Sequence, residues 1–256
     1  GVRFALCWLV PAWIIFELTP TKLPHYPLPL YGALAWLMAA ALQQPIGRIS
    51  RFTGAVLGGL MGLLLAAAGV VLALRYGGPP SLAWAIATAV VLVAASAAGV
   101  VLILFRRKSL VTLGVALGLG VIGHDALAAG LAPSLQPLWL SSRTAEAVKR
   151  AGIDPRNGVT PGPVSVAGYG EPSIAFLLGT RTELGTGEVA AAAVSEGRPA
   201  VVERHEMPEF QEALKAQEAH AALVGEVKGI DYSKGKPVDL FLYRSLESGD
   251  QPGDQR

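Results

Sequence analysis

The chain has 256 residues, 52% of them hydrophobic and only 16% charged, with a mean hydropathy of +0.46. Soluble domains carry roughly 25% charged residues, so the composition argues against an ordinary cytosolic enzyme. Charge is also unevenly placed. Residues 1–140 hold 8 Lys and Arg against 2 Asp and Glu, net +6; residues 141–256 hold 13 against 17, net −4. The first stretch reads as membrane and the second as a soluble, mildly acidic domain. No basic face is concentrated in that domain, which rules down a nucleic-acid partner. A single cysteine, Cys7, excludes an internal disulfide framework and a Cys-based metal site.

Five apolar segments follow one another, at residues 4–18, 28–42, 52–74, 82–105 and 110–131. The third has 23 residues, about 35 Å of helix at 1.5 Å per residue and enough to span a bilayer. Each segment is expected to be helical, because lipid offers no other partner for backbone amides. Arg3, Arg48, Arg51, Arg106, Arg107 and Lys108 fall on one side, and Lys22 and Arg75 on the other. The positive-inside rule puts the six in the cytoplasm and turns the 19–27 loop and everything after residue 132 outward, to a periplasm or cell exterior. The chain starts Gly-Val-Arg-Phe at the edge of an apolar run, and more membrane follows instead of a polar mature protein. It reads as the C-terminal piece of a longer membrane protein; the alternative is a processed or mis-started complete one.

Gly54, Gly58 and Gly62 lie four apart, a GxxxG series expected to pack one helix face closely. Gly118, Gly120 and Gly123 formally match GxGxxG but lack a preceding strand, so they read as helix packing. Beyond Pro133 the texture changes. Helices are expected at 143–151, 173–178, 188–195 and 208–217, and strands at 164–167, 200–204, 222–228 and 238–244, the last two joined by a Gly- and Lys-rich loop at 229–237. The expected fold class is therefore a mainly α transmembrane bundle of about five spans over residues 1–140, followed by a small α/β soluble domain at 141–245. Residues 246–256 read as a disordered tail.

The most informative stretch is the first outward loop. It places Glu17, Lys22, His25 and Tyr26 around Pro20, Pro24, Pro27 and Pro29. The prolines forbid a regular helix. A cation with a phenol and an imidazole at headgroup depth suits an anionic lipid: the ammonium neutralises phosphate and the hydroxyl or N–H fixes its oxygens. A second reading needs no ligand, only an interfacial aromatic belt with a snorkelling lysine.

The run Trp13-Ile-Ile-Phe16-Glu17-Leu18, followed by Thr21-Lys22-Leu23-Pro24-His25-Tyr26-Pro27-Leu28-Pro29 and an apolar helix, resembles the K-L-P-x-Y-x-L-P segment of polytopic glycosyltransferases. These are the aminoarabinose-transferase and protein-mannosyltransferase-like enzymes of the GT-C superfamily. The resemblance covers residues 8–42 well and the remainder loosely, including the order of further spans and then an outward domain. It implies a membrane enzyme that moves a sugar from a polyprenyl-phosphate donor to an acceptor lipid, glycan or protein on the outer face of the inner membrane. It further implies a catalytic acidic residue in an N-terminal outward loop that this chain lacks, so the piece alone is expected to be inactive. Parts of the superfamily also use a divalent metal; no cofactor is expected within this chain. By the same resemblance Lys22 and Tyr26 fall on positions facing the carrier phosphate, with His25 beside them. Glu17 stands where the family has Ser, and is a candidate on the acceptor side. The alternative function is a membrane-anchored periplasmic binding or scaffold module without catalysis.

Other candidates are Glu171, which either faces an acceptor or favours the helix start at Ser173, and the pair His124 and Asp125, expected at the interface where the fifth span ends early. His205 and His220 lack metal-ligand spacing and read as surface residues. Lys228, Lys234 and Lys236 around Tyr232 form a basic hairpin tip, either solvated or touching anionic headgroups.

Overall fold

The computed structural model describes residues 1–20, 26–45, 47–105, 110–158 and 160–246. Lys22 and His25 lie outside the described residues, as does the tail beyond Leu246, which itself still belongs to a strand. All five apolar segments are helical: α1 (Val2–Leu18), α2 (Tyr31–Leu42), α3 (Arg48–Tyr76), α4 (Pro79–Leu104) and α5 (Leu110–Asp125). Among the described residues, three helices are long and apolar enough to cross a membrane: Arg48–Tyr76, Pro79–Leu104 and Leu110–Ser134. The last is α5 continued through a π-helical turn, Ala126–Leu131, and a final turn, α6 (Ala132–Ser134). This corrects the expectation for His124 and Asp125. The span does not end at the pair; it runs nine residues past Asp125, because the wider turn keeps the backbone amides paired to the end.

By contacts the chain divides into two compact units, Gly1–Leu65 with Val91–Val121, and Ala66–Val90 with Ile122–Arg256. In the first, α1 meets α2 where Trp8 covers Gly32; a Cβ there would approach the indole to 3.2 Å. The glycine series of α3 acts through one member. Gly62 is pressed against the Ser96 side chain of α4, and Ser96 Oγ donates to the Gly58 carbonyl at 2.6 Å. Added Cβ atoms at Gly54 and Gly58 would meet nothing within 4 Å among the described residues. The expected three-glycine seam is thus one close approach plus a serine hydrogen bond.

In the second unit the end of α3 and the start of α4 meet the last span around Ala73, Ala85, Leu131 and Leu135, with Trp84 seated on Gly130. Ser81 Oγ donates to the Ser134 carbonyl at 3.0 Å. The chain then leaves the span through a 3-10 turn, Gln136–Leu138, into α7 (Leu140–Arg150).

The rest of this unit is a five-stranded sheet with helices on both faces. Its elements are β1 (Ser165–Ala167), α8 (Pro172–Leu178), β2 (Glu183–Gly185), α9 (Gly187–Ser195), β3 (Ala200–Glu203), α10 (Met207–Ala216), β4 (His220–Asp231) and β5 (Lys236–Leu246). The spatial order is β2-β1-β3-β5-β4, with β1 parallel to β2 and β3, and β5 antiparallel to β3 and β4. Side-chain alternation divides the core. Val166, Val201, Leu240 and Leu242 join Leu140, Val148 and Ile174 of α7 and α8 on one face. Ala167, Ala200 and Val202 join Ala190, Val194 and Phe210 of α9 and α10 on the other. The alanines of α9 let it lie close to the sheet; Ala190, Ala191 and Ala193 are fully buried. The expected four helices and four strands are all present. β2 was not expected, and β4 and β5 extend well into the region read as a loop.

Candidate functional site

Two polar constellations stand out, one in each unit. The first is at the end of α1. Glu17 occupies its last turn, exposed, and Thr19 closes the helix in an extended conformation, its Oγ1 and N–H both donating to the Ile15 carbonyl at 2.9 and 3.1 Å. Tyr26 follows, its ring 6.0 Å from that of Phe16 and tilted by 31°. Pro27 and Pro29 then wind a 3-10 turn, Leu28–Leu30, that buries Leu30 and launches α2. Proline geometry and the Phe16 contact thus anchor Tyr26 at the same end of α1 as Glu17.

The second constellation surrounds Glu171, and its members are brought together from distant parts of the sequence. Ser173 Oγ donates to Ser141 Oγ at 2.8 Å, and Ser141 Oγ lies 3.0 Å from the hydroxyl of Tyr169, which is 1% exposed. This chain of hydroxyls ties α8 to the first turn of α7. Glu171, 8% exposed, sits at the N-cap of α8 without accepting from its amides. Its carboxylate instead faces the Tyr232 hydroxyl, which also meets Ser173. Asp231 beside it is buried and its Oδ1 accepts from Ser233 Oγ at 2.6 Å, Ser233 N at 3.0 Å and Lys234 N at 3.2 Å.

The electrostatics follow from these contacts. Burial pushes the Tyr169 hydroxyl up to about 12, against the opposing hydrogen bond from Ser141, with the Glu171 and Asp231 charges adding to the rise. Burial, and after it the Glu171 charge, also raises Tyr232. Burial works against charge on Asp231, but its hydrogen bonds from Ser233 and Lys234 hold the carboxyl below its ordinary value. The cluster therefore keeps two neutral phenols beside the buried Asp231, with Lys234 Nζ 3.5 Å from its carboxylate.

The remaining candidates are placed apart from these. His205 is exposed at the start of the turn before α10, its Nδ1 3.0 Å from Glu203 and its Nε2 3.1 Å from Glu206. Glu206 also accepts from the Gly187 amide at the start of α9, at 2.8 Å. His220 begins β4, exposed. Among the described residues no three His, Cys, Asp or Glu side chains converge on a point where a metal ion could sit. Sequence reading missed Ser141, Ser173 and Tyr169, since hydroxyls 28 and 32 residues apart carry no spacing signal.

Apolar helices, a proline-containing turn between the first two, and an α/β layer make up the fold. Among solved structures this fold is similar to that of ArnT from Cupriavidus metallidurans. In the apo state it matches with a TM-score of 0.51 and 17% identity, over 93% of this chain and 46% of that one. Bound to undecaprenyl phosphate it matches with a TM-score of 0.53 and 17% identity, over 93% and 45%. A curated relative, the undecaprenyl phosphate-alpha-4-amino-4-deoxy-L-arabinose arabinosyl transferase of Pectobacterium atrosepticum, is 36% identical over 74 residues, which is 26% of this chain and 13% of the relative. No family model matches the chain. The chain has an ArnT-like fold and spans less than half the length of these proteins.

Proposed function

We propose that this chain is the C-terminal part of a polytopic inner-membrane glycosyltransferase that takes a sugar from a polyprenyl-phosphate donor. The observation that carries this is the fold shared with ArnT over 93% of the chain, including a structure bound to undecaprenyl phosphate. Tyr26, fixed on Phe16 at the end of α1, supplies a hydroxyl to the carrier phosphate, and Lys22 and His25 supply charge and an N–H from the same proline-rich loop. A polyprenyl phosphate leaves readily when fixed cations and donors hold its developing charge. The sugar's acceptor is deprotonated by a carboxylate general base outside this chain. Glu17, on the last turn of α1, and Glu171, facing Tyr232, are proposed to contact the acceptor side. The α/β domain then lies outside the cytoplasm, on the side where the acceptor lipid, glycan or protein is found.

The test is sugar transfer by the full-length protein from a polyprenyl-phosphate donor. Lys22→Ala and Tyr26→Phe are expected to lower turnover on the order of tenfold or more each, the weight of a hydrogen bond to a charged group. Turnover equal to the parent's in both variants would dismiss the phosphate-site assignment.

A further inference from the structure

The β4–β5 turn carries a chemistry that sugar transfer does not use. Its one anion, Asp231, is 2% exposed and its Oδ1 is occupied by the turn's own amides and the Ser233 hydroxyl. Its cations face out: Lys234 is 60% exposed with Nζ only loosely paired, 3.5 Å from Asp231, and Lys236 is exposed at the start of β5. Tyr232, between Asp231 and the lysines in the chain, is 59% exposed, with its hydroxyl toward Glu171 and Ser173. Lys228, three strand positions before Asp231, is paired to Glu226 at 3.2 Å and adds little charge.

The turn is also held at a defined place. Gly229 of β4 packs directly on the segment leaving the last span: an added Cβ would come within 2.8 Å of the Pro137 carbonyl and 3.0 Å of Leu140 Cδ1. Arg143 of α7 clamps the strand by donating to the Lys228 carbonyl at 2.6 Å. Pro137 is three residues beyond Ser134, where the span closes, and the half-exposed Trp139 donates its indole N–H to the Ala132 carbonyl at 2.7 Å. Tryptophan is enriched at the lipid–water interface. Tyr232 is three positions past Gly229, roughly 10 Å along the chain at 3.3 Å per residue, so the turn follows closely on the strand segment packed against the chain that leaves the last span.

We propose that the β4–β5 turn is a docking surface for anionic phospholipid headgroups of the bilayer, with Lys234 and Lys236 on the phosphates and Tyr232 at the headgroup level. It fixes the α/β domain against the membrane independently of any sugar donor. The test is amide hydrogen exchange of residues 230–237, with the chain in nanodiscs of phosphatidylcholine alone or mixed with phosphatidylglycerol. In the anionic discs exchange of the turn slows on the order of fivefold or more, since each lysine near an anionic surface contributes about that factor to binding. Lys234→Gln with Lys236→Gln removes the difference, while exchange of β1 and β3 stays unchanged. Equal exchange in the two kinds of disc overturns the proposal. So does equal protection by inorganic phosphate added to phosphatidylcholine discs, which would assign the turn to a soluble anion.

Discussion

Replacing Ser141 by alanine strands the hydroxyl of Tyr169. That hydroxyl is on a residue 1% exposed, and Ser141 Oγ at 3.0 Å is its hydrogen-bond partner among the described residues. A buried donor left without a partner costs about 1–3 kcal/mol. Ser173 Oγ loses its 2.8 Å bond at the same time, but it is only half-buried and retains Tyr232. Ser141→Ala is therefore expected to destabilise the α/β domain by about 2 kcal/mol. Tyr169→Phe removes the hydroxyl together with its need for a partner and leaves Ser141 bonded to Ser173, at a cost of about 1 kcal/mol. In the double variant nothing is stranded at Tyr169. Its cost falls short of the summed single costs by about 1 kcal/mol, the coupling that defines a shared network. Pulse proteolysis across a urea series, following cleavage within residues 140–246 of the detergent-solubilised chain, reads all three. Single effects that add to within about 0.5 kcal/mol would refute the network and leave Ser141 and Tyr169 as independent packing residues.

Between α3 and α4, Gly62→Val should loosen the pair, because the new side chain must displace Ser96; overpacking of this kind costs about 1–3 kcal/mol. Gly54→Ala, with open space around it, should be neutral or slightly stabilising; thermal unfolding of the detergent-solubilised chain, followed by helix content, reads both variants. Stability should also fall in alkali. The Tyr169 hydroxyl ionises near 10 when unfolded and is pushed up to about 12 when folded. The folded state therefore holds that proton more tightly, and its contribution is complete below pH 10 and lost as pH rises from 10 through 12. Tyr169→Phe should remove that part of the alkaline slope in a denaturation series, and an unchanged slope would contradict the burial of the hydroxyl.

The membrane part was legible because its signal is local. Each apolar run forces its own helix once lipid is the solvent, and the proline-rich run after Glu17 marks where that regularity breaks. The helices and central strands of the α/β domain were legible for the same reason of period. β2 was not, because Glu183–Gly185 is three residues of mixed polarity made a strand by its parallel pairing with β1. The ends of β4 and β5 were hidden by composition. Gly229 and Pro237 read as loop residues, yet Gly229 is in the strand because Pro137 and Leu140 leave no room for a side chain. The π-helical turn after Asp125, Ala126–Leu131, is as apolar as an α-helical turn would be, so composition does not announce it. Tyr26 is singled out by its motif, whereas its packing on Phe16 is not. The Glu171 cluster is not singled out either, because Ser141, Tyr169, Ser173 and Tyr232 meet only through the packing of α7 on α8 and the hairpin.

The central claim is that the loop between α1 and α2 holds the phosphate of a polyprenyl carrier. Equilibrium binding of undecaprenyl phosphate to the purified full-length protein, without sugar or acceptor, tests it most directly. Tyr26→Phe and Lys22→Ala are each expected to weaken affinity on the order of tenfold, as for loss of a charge-assisted hydrogen bond, with Glu171→Gln leaving it unchanged. Parental affinity in both loop variants would contradict the claim.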